Sequence, residues 1–339
     1  MKKRGSSPIK QLQAKTVLPL TTGSVAAAAA KAAALLWLTK KKVAMVKISG
    51  PQNNWQELLS VYRQFLTKKA ALCWLKKPAN LDYDITQKLI IGAKVEPRLD
   101  KQIVLKRGFG VGIVTKPGLL VAVGQPAINP VTQSQIKANL KELKAEHGFT
   151  VTFYIPQGAE VAKKSFNPQL GIVKGLSLIG TTGLVKPMSR PAYKKALALK
   201  LTQAAALGYK EVVLVPGEVG AQAAAKLLKA SPEQTVMVSN FVGYMFKQAA
   251  KLGLRAVFLG HIGKVIKVAA GYRYTHSQAT HDRCRLIVKT VAKWDAKLAN
   301  ELKEAVTAEQ AAQVLKEKKR LILKRIAALA TANLKKWLA

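Results

Sequence analysis

Four apolar runs in the second half of the chain each end in a glycine-bearing loop, and a helical pattern rich in Ala or Lys follows. The runs are GLSLIGTTG (175–183), EVVLVPGEVG (211–220), QTVMVSNFVG (234–243) and LRAVFLGHIG (254–263). Their strand portions are apolar throughout and do not alternate, which is typical of parallel strands that are buried on both faces. We therefore predict a βα repeat whose loops meet at the carboxyl edge of one sheet.

The first half of the chain shows a mixed pattern. The Ala-rich run 25–38 is typical of a helix that the sequence TTGS (21–24) caps, and VAMVKISG (43–50) is typical of a strand. The spacing predicts a helix over 55–68, a strand opening at Cys73, a helix over 134–147 and a strand over 150–155. Residues 164–174 are interpreted as the linker to the repeat.

These elements predict an α/β protein of two domains: an N-terminal α+β domain and a C-terminal three-layer domain with a mainly parallel sheet, followed by C-terminal helices. The predicted boundaries are a basic tail at 1–15, the α+β domain at 16–165, the βα-repeat domain at 166–285 and helices packed on the fold at 286–339. The last helix is amphipathic and basic, so a membrane or partner surface is the alternative to packing on the sheet.

The spacing of the glycines excludes two nucleotide-binding motifs, the dinucleotide fingerprint and the P-loop, and it predicts a bend or a close approach of two backbones. Gly108, Gly110 and Gly112 alternate in a strand-like pattern, which indicates a bend or a close approach of two backbones. The third glycine comes one residue too early for the dinucleotide fingerprint. GHIGK (260–264) is not a phosphate-binding P-loop, because its first glycine is too close to the lysine and no Ser or Thr follows.

The charge of the chain is unusual. It has 56 Lys and Arg against 17 Asp and Glu, a net charge of +39, which attracts nucleic acid, acidic lipid or a polycarboxylate substrate. The lysines are spread along the whole chain, so we interpret them mainly as surface composition. With 6% aromatic residues and no nucleic-acid motif, any nucleic-acid binding is expected to be non-specific and sensitive to salt.

Cysteine usage and the N-terminal apolar run indicate a cytoplasmic protein. Cys73 and Cys284 form no CxxC or Cys/His motif, so we predict neither a disulfide framework nor a protein-bound metal. Lys31 interrupts the apolar run 25–38, which is shorter than the roughly 20 residues that span a bilayer. No membrane partner is predicted.

Small polar and basic residues occupy the predicted loops. Ser239, Asn240 and His261 follow strands of the repeat, where backbone amides and helix N-termini favour an anionic or polar ligand. The TTGS entrance of the first helix has the same character, but taken alone it is more typical of an ordinary cap than of a site. Asp82 and Asp84 are two acids in an acid-poor chain that can orient an amine or hydroxyl, and a simple turn explains them nearly as well.

Read together, the loops form an ordered series of motifs between residues 18 and 277. They are TTG with the Lys31 helix, VTKPGL (114–119), PAINPV (126–131), FNPQLGIV (166–173), GLSLIGTTGLVKPMS (175–189), SNFVG (239–243), GHIGK (260–264) and THS (275–277). Each motif alone is weak, but eight in register are specific. The series resembles the cobalt-precorrin-5B C(1)-methyltransferase family of anaerobic cobalamin biosynthesis.

The resemblance implies a transfer of methyl from S-adenosylmethionine to a ring carbon of cobalt-precorrin-5B, giving cobalt-precorrin-6A. The cobalt belongs to the substrate. The resemblance assigns no catalytic residue, and it leaves a homodimer open. It implies that donor or substrate contacts come from the motif residues Thr21, Thr22, Gly23, Asp82, Asp84, Thr86, Lys116, Asn129, Thr181, Thr182, Gly183, Ser239, Asn240, His261, Lys264, His276 and Ser277.

Several positions depart from the family pattern. Ser24 and Val25 stand where the family has Thr-Cys, and KPANLDYDIT (77–86) lacks two acids and a glycine of the family's acidic segment. Gln125 replaces a Glu and Glu218 replaces an Asn. Two alternatives therefore accompany the methyltransferase: an inactive relative with the same fold, and a non-specific polyanion binder.

Overall fold

The computed structural model describes residues 17–79, 84–186, 190–276, 283–305, 307–318 and 320–338. The chain divides into two compact units. The first unit contains Met1–Thr115 and Leu120–Pro187, and the second contains Lys116–Leu119 and Met188–Ala339. Both contain helices and strands, so the predicted mixed α/β class is confirmed.

The first unit contains eleven strands, three α-helices and a short 3-10 helix (Pro168–Leu170) among its described residues. The helices are α1 (Thr22–Thr39), α2 (Pro130–Lys141) and α3 (Gly158–Lys163). The strands are β1 (Met45–Ser49), β2 (Gln56–Ser60), β3 (Arg63–Leu66), β4 (Ala71–Lys76), β5 (Ile90–Arg98), β6 (Ile103–Arg107), β7 (Gly110–Val111), β8 (Ile113–Val114), β9 (Gly148–Tyr154), β10 (Ile172–Val173) and β11 (Gly175–Leu176).

A five-stranded sheet and helix α1 form the core of the first unit. The strand order is β3-β4-β5-β9-β6, antiparallel except for the parallel pair of β6 and β9. Helix α1 packs on β4, β5 and α2, and its small alanine side chains are fully buried there. By length and composition α1 is apolar enough to cross a membrane, but 78% of that window is buried inside the protein, as in a core helix.

The helix predicted over 55–68 is wrong, because this segment forms β2 and β3. Strand β2 pairs antiparallel with β1, and β3 pairs with β4. A helix would have placed Leu58, Tyr62 and Phe65 on one apolar stripe, yet all three side chains are exposed. The helical spacing was therefore coincidental, and pairing with neighbouring strands determines the structure.

The first of the four predicted βα units is also wrong, together with the linker before it. Within 164–174, β10 pairs antiparallel with β8, and Ile172 is buried. Strand β11 then pairs in parallel with β7, with Gly175 opposite Gly110. Residues 164–183 thus belong to the first unit, where their strands pair with strands from earlier in the chain.

The other three runs form a parallel sheet in the second unit. Its strands are β12 (Glu211–Val215), β13 (Thr235–Met237) and β14 (Arg255–Phe258), in the order β13-β12-β14. The described helices are α4 (Arg190–Ala206), α5 (Glu218–Leu228), α6 (Val242–Lys251), α7 (Ile262–Ala269), α8 (Arg283–Val291), α9 (Ala296–Glu301), α10 (Ala308–Lys318) and α11 (Arg320–Leu338).

Both faces of this sheet are covered. Val212 and Leu214 of β12 belong to a core with α4, α6, α7 and the C-terminal helices. The alternate residues Val213 and Val215 pack with Ala224 of α5 on the other face. This explains why the run is apolar at every position. One face of α11, which includes Ile326 and Trp337, is buried in the first of these cores, so this apolar face is occupied within the unit.

Candidate functional site

The two Thr-Thr-Gly loops pack against each other in the first unit. The Thr21 amide donates to the carbonyl oxygen of Gly183 at 3.0 Å, and the Ser24 hydroxyl donates to the same oxygen at 2.7 Å. The Gly23 amide donates to Ile179 O at 3.1 Å, and the Ser24 amide donates to Thr21 Oγ1 at 3.3 Å. The amides of Thr21, Gly23 and Ser24 therefore have protein partners, and the ordinary cap explains this entrance better than an anion site.

The remaining residues of these loops divide into buried and exposed groups. Thr22 is buried, and its hydroxyl donates to Ser177 O at 3.2 Å. Trp55 Nε1 donates to Thr182 O at 2.9 Å. Gly183 has φ of +75°, and a Cβ there would lie 2.4 Å from the Trp55 ring. Only the side chains of Thr181 and Thr182 in this second loop are exposed and accessible to a ligand.

Asp84 is held in an ion pair with a buried lysine. Lys77 Nζ donates to Asp84, and the Thr86 amide and hydroxyl donate to Asp84 Oδ1 at 2.9 and 2.6 Å. Burial acts to raise the pKa of Asp84, but the hydrogen bonds from Lys77 and Thr86 outweigh it and hold that pKa below its usual value. Asp84 thus neutralises the buried charge of Lys77, and Thr86 holds the Asp84 carboxylate in position. Asp82 lies outside the described residues.

Asn129 and Lys116 also have local partners. Asn129 caps α2, because its side-chain oxygen accepts from the Val131 amide at 3.0 Å. In the second unit, Lys116 Nζ donates to Glu233 Oε1 at 2.8 Å, and this hydrogen bond lowers the pKa of Glu233. Both residues therefore have clear structural roles in their own units.

A cationic cleft lies beside α7 in the second unit. It has a volume of about 190 Å³, and its lining residues are Asn240, Gly263, Lys264, Lys267, His276 and Arg283. Asn240 follows β13 and Lys264 lies in the first turn of α7, so two loops of the parallel sheet contribute to it. Of the predicted site residues, Asn240, Lys264 and His276 are brought together here. Ser239, next to Asn240, adopts a left-handed conformation with φ of 50°.

The two lysines of the cationic cleft are fixed by hydrogen bonds. Lys264 Nζ donates to Asn240 Oδ1 at 2.5 Å and to Thr275 O at 3.1 Å. Lys267 Nζ donates to Thr275 O at 3.2 Å and to His276 O at 3.1 Å. The His276 ring stacks on Tyr274 with a centroid separation of 5.8 Å. The ammonium groups are therefore held in place before any ligand arrives.

Burial and repulsion from neighbouring cations lower the pKa of both lysines. For Lys264, desolvation is the larger cause and the charge of Arg283 the smaller. For Lys267, desolvation again comes first, followed by the charges of Lys264 and Arg283. Among the described residues that line the cleft there is no carboxylate. This arrangement favours an anionic ligand.

His261 occupies a neighbouring position outside the lining of the cleft. Its Nδ1 accepts from the Gly263 amide at 3.3 Å and caps α7, and the same atom lies 3.7 Å from Glu309 Oε1. The side chain is half exposed. Ser277 lies outside the described residues.

Sequence reasoning missed Lys267 and Arg283. Lys267 follows Lys264 by three residues on one helix, a spacing that places both on one face and could have indicated it. Arg283 begins α8, and no spacing in the sequence connects it with α7.

Comparisons with known proteins agree on one family. The CbiD family profile matches residues 10–187. A cobalt-precorrin-5B C(1)-methyltransferase of Thermoanaerobacter sp. (strain X514) is 40% identical over 303 residues, covering 88% of this chain and 82% of the relative. The protein of the same name from Methanocaldococcus jannaschii is 38% identical over 315 residues, covering 91% and 87%.

One solved structure is also similar. It is the crystal structure of a cobalamin biosynthesis protein (cbiD) from Archaeoglobus fulgidus, which is 27% identical. The match covers 78% of this chain and 83% of that chain, with a TM-score of 0.40.

Proposed function

Because the chain belongs to the CbiD family, we propose that it methylates a ring carbon of cobalt-precorrin-5B to give cobalt-precorrin-6A, a step of anaerobic cobalamin biosynthesis. The observation that carries the proposal is 40% identity to a methyltransferase of that name over 88% of the chain. The proposed methyl donor is S-adenosylmethionine. Cobalt enters the site as part of the substrate.

The chemistry places modest demands on the protein. When bound, the donor supplies an electrophilic methyl group, which the ring carbon attacks in line while the carbon–sulfur bond breaks. The chain has to align the two reactants and hold their charged groups, with little acid–base work. Fixed cations suit this task, because the substrate carries acetate and propionate side chains. The cationic cleft offers Lys264, Lys267 and Arg283 for such contacts.

The predicted site residues take two proposed roles. Asn240, Lys264 and His276 are proposed to contact the donor or the substrate, because they line the cationic cleft. Thr21, Gly23 and Gly183 are proposed to act indirectly, since their hydrogen bonds hold the two Thr-Thr-Gly loops together. We also propose that the two units are separate domains and that the protein is cytoplasmic.

We expect the protein to add one methyl group to cobalt-precorrin-5B when it is incubated with S-adenosylmethionine in the absence of oxygen. Mass spectrometry of the corrinoid measures the result. Replacement of the donor by S-adenosylhomocysteine is the control and should leave the mass unchanged. An unchanged mass with folded protein and the true donor contradicts the proposal.

Two further measurements separate the alternatives. An inactive relative that has lost the donor site should show no calorimetric binding of S-adenosylhomocysteine. A polyanion binder should retain DNA at low salt and release it as salt rises, because counterion release drives such binding.

A further inference from the structure

Lys267 is a buried cation in a part of the second unit that already carries positive charge. Its side chain is 1% exposed and is among the largest fully buried side chains of the protein. Its Nζ contacts two backbone carbonyl oxygens, those of Thr275 and His276. Lysine is almost never fully buried without a partner of opposite charge, since carbonyl dipoles only partly replace the lost hydration.

No such partner exists within the described part of the chain. The ion pairs formed there include none with Lys264, Lys267 or Arg283. Three cationic side chains therefore line one cleft, and the described lining residues contribute no carboxylate. An anion in the cleft would offset the cost of burying the Lys267 charge.

The size of the cleft limits what part of a ligand it holds. Its volume of about 190 Å³ is below the roughly 300–1,000 Å³ of pockets that enclose a whole small molecule. It therefore holds one end of a ligand. Of its lining residues, Arg283 is exposed and its planar guanidinium can pair with both oxygens of a carboxylate, whereas Lys267 is buried.

We propose that the cationic cleft is a carboxylate-binding site in which Lys264 and Arg283 contact the carboxylate and Lys267 supplies a buried fixed charge. The choice of carboxylate over other anions rests on the proposed function, because both the corrinoid side chains and the amino-acid end of the donor carry carboxylates. Either source has the chemistry that the cleft recognises, and binding experiments distinguish them.

The lowered pKa values of the two lysines agree with this assignment. A bound carboxylate favours the charged form of each lysine and so raises both lysine pKa values, and the protein takes up protons on binding at pH values between the free and bound pKa values. Affinity should therefore be full at pH values below the lowered pKa values of the free protein and should fall as pH rises through them.

The source of the carboxylate is tested by calorimetry of the full chain and of Lys267→Met. One titration uses S-adenosylhomocysteine, and the other uses cobyrinic acid, a cobalt corrinoid with free carboxylates. The affinity of one ligand is expected to fall about tenfold or more in the variant, as for loss of a charged hydrogen-bonding group. If the variant loses affinity for cobyrinic acid, the cleft binds the substrate. If it loses affinity for S-adenosylhomocysteine, the cleft binds the donor. Unchanged affinity for both overturns the proposal.

Control variants distinguish the loss of a cation in the cleft from the loss of a positive charge elsewhere on the surface. Lys289→Met removes the same charge from an exposed position on α8 and should change both affinities less than about twofold. Arg283→Gln changes an exposed position, so the variant should fold. It should lower the affinity for the same ligand that Lys267→Met affects. It decides the question if Lys267→Met does not fold. An equal effect of Lys289→Met and Arg283→Gln contradicts the proposal.

Acetate tests the site independently of the methyltransferase function. At constant ionic strength, replacing chloride with acetate should raise the Tm of the wild-type protein and of Lys289→Met, but not that of Lys267→Met or Arg283→Gln. This result supports the cleft even if no methyl transfer is found. Equal shifts in all four proteins overturn the site, whether or not the enzyme is active.

Discussion

Asp84→Ala is expected to destabilise the first unit by about 3–5 kcal/mol, because it leaves a buried lysine without its counter-ion. Lys77 is 2% exposed, and its Nζ is paired with Asp84. The Asp84 side chain is itself only 9% exposed. Urea denaturation followed by circular dichroism measures the change. Glu160→Ala, which breaks the exposed pair of Glu160 and Lys163, is the matched control and should have a much smaller effect.

A double variant identifies the cause of the loss. Lys77→Met combined with Asp84→Ala removes both charges, so it should recover much of the stability that Asp84→Ala loses. If the double variant is as unstable as the single one, the cost comes from lost packing and hydrogen bonds, and the unpaired charge is not its source.

The same pair predicts how acid affects stability. The folded-state pKa of Asp84 is lowered, so its contribution is present above the unfolded pKa and is lost as pH falls through the lowered value. Between those two values, the free energy of unfolding of the wild-type protein should fall more steeply with decreasing pH than that of Asp84→Ala. Parallel pH profiles below about pH 4 would contradict the assigned role.

The strands of the second unit could be predicted because local and tertiary preferences agree there. In β12, β13 and β14 the β-rich apolar runs, the glycine loops and the following helices all favour a buried parallel sheet. The run 175–183 has the same local features, yet β11 pairs with β7, some 65 residues earlier in the chain. A pattern in the sequence identifies a strand but does not identify a distant partner.

The candidate site likewise combines features that the local sequence predicts with contacts that it does not reveal. The motifs singled out Asn240, Lys264 and His276, and the structure places all three in the lining of one cleft. Lys267 shares a helix face with Lys264, but a lysine in a chain with 56 basic residues looks like surface composition until its burial is known. At the Thr21 entrance the sequence favours an ordinary cap over an anion site, but it does not reveal that carbonyl groups of a distant loop accept from the Thr21 and Gly23 amides.

Gly110→Ala is expected to destabilise the first unit by more than about 4 kcal/mol or to prevent folding, because backbones meet there without room for a side chain. A Cβ on Gly110 would lie 1.7 Å from the carbonyl oxygen of Ile155. A Cβ on Gly158 or Gly175 would lie 2.0 or 2.2 Å from the carbonyl oxygen of Gly110. Backbone atoms cannot move aside as a flexible side chain can. The alternating glycines of the sequence predicted such a close approach.

Gly124→Ala isolates the contribution of this packing from that of backbone conformation. Gly124 has φ of +84° and Gly110 has φ of +73°, so alanine meets a similar left-handed conformation at both positions. At Gly124 nothing lies within 4 Å of the added Cβ, so its cost should be limited to the roughly 1–2 kcal/mol of that conformation. Urea denaturation of both variants measures the difference, which is the cost of separating the backbones. Equal destabilisation would show that conformation alone requires glycine at position 110.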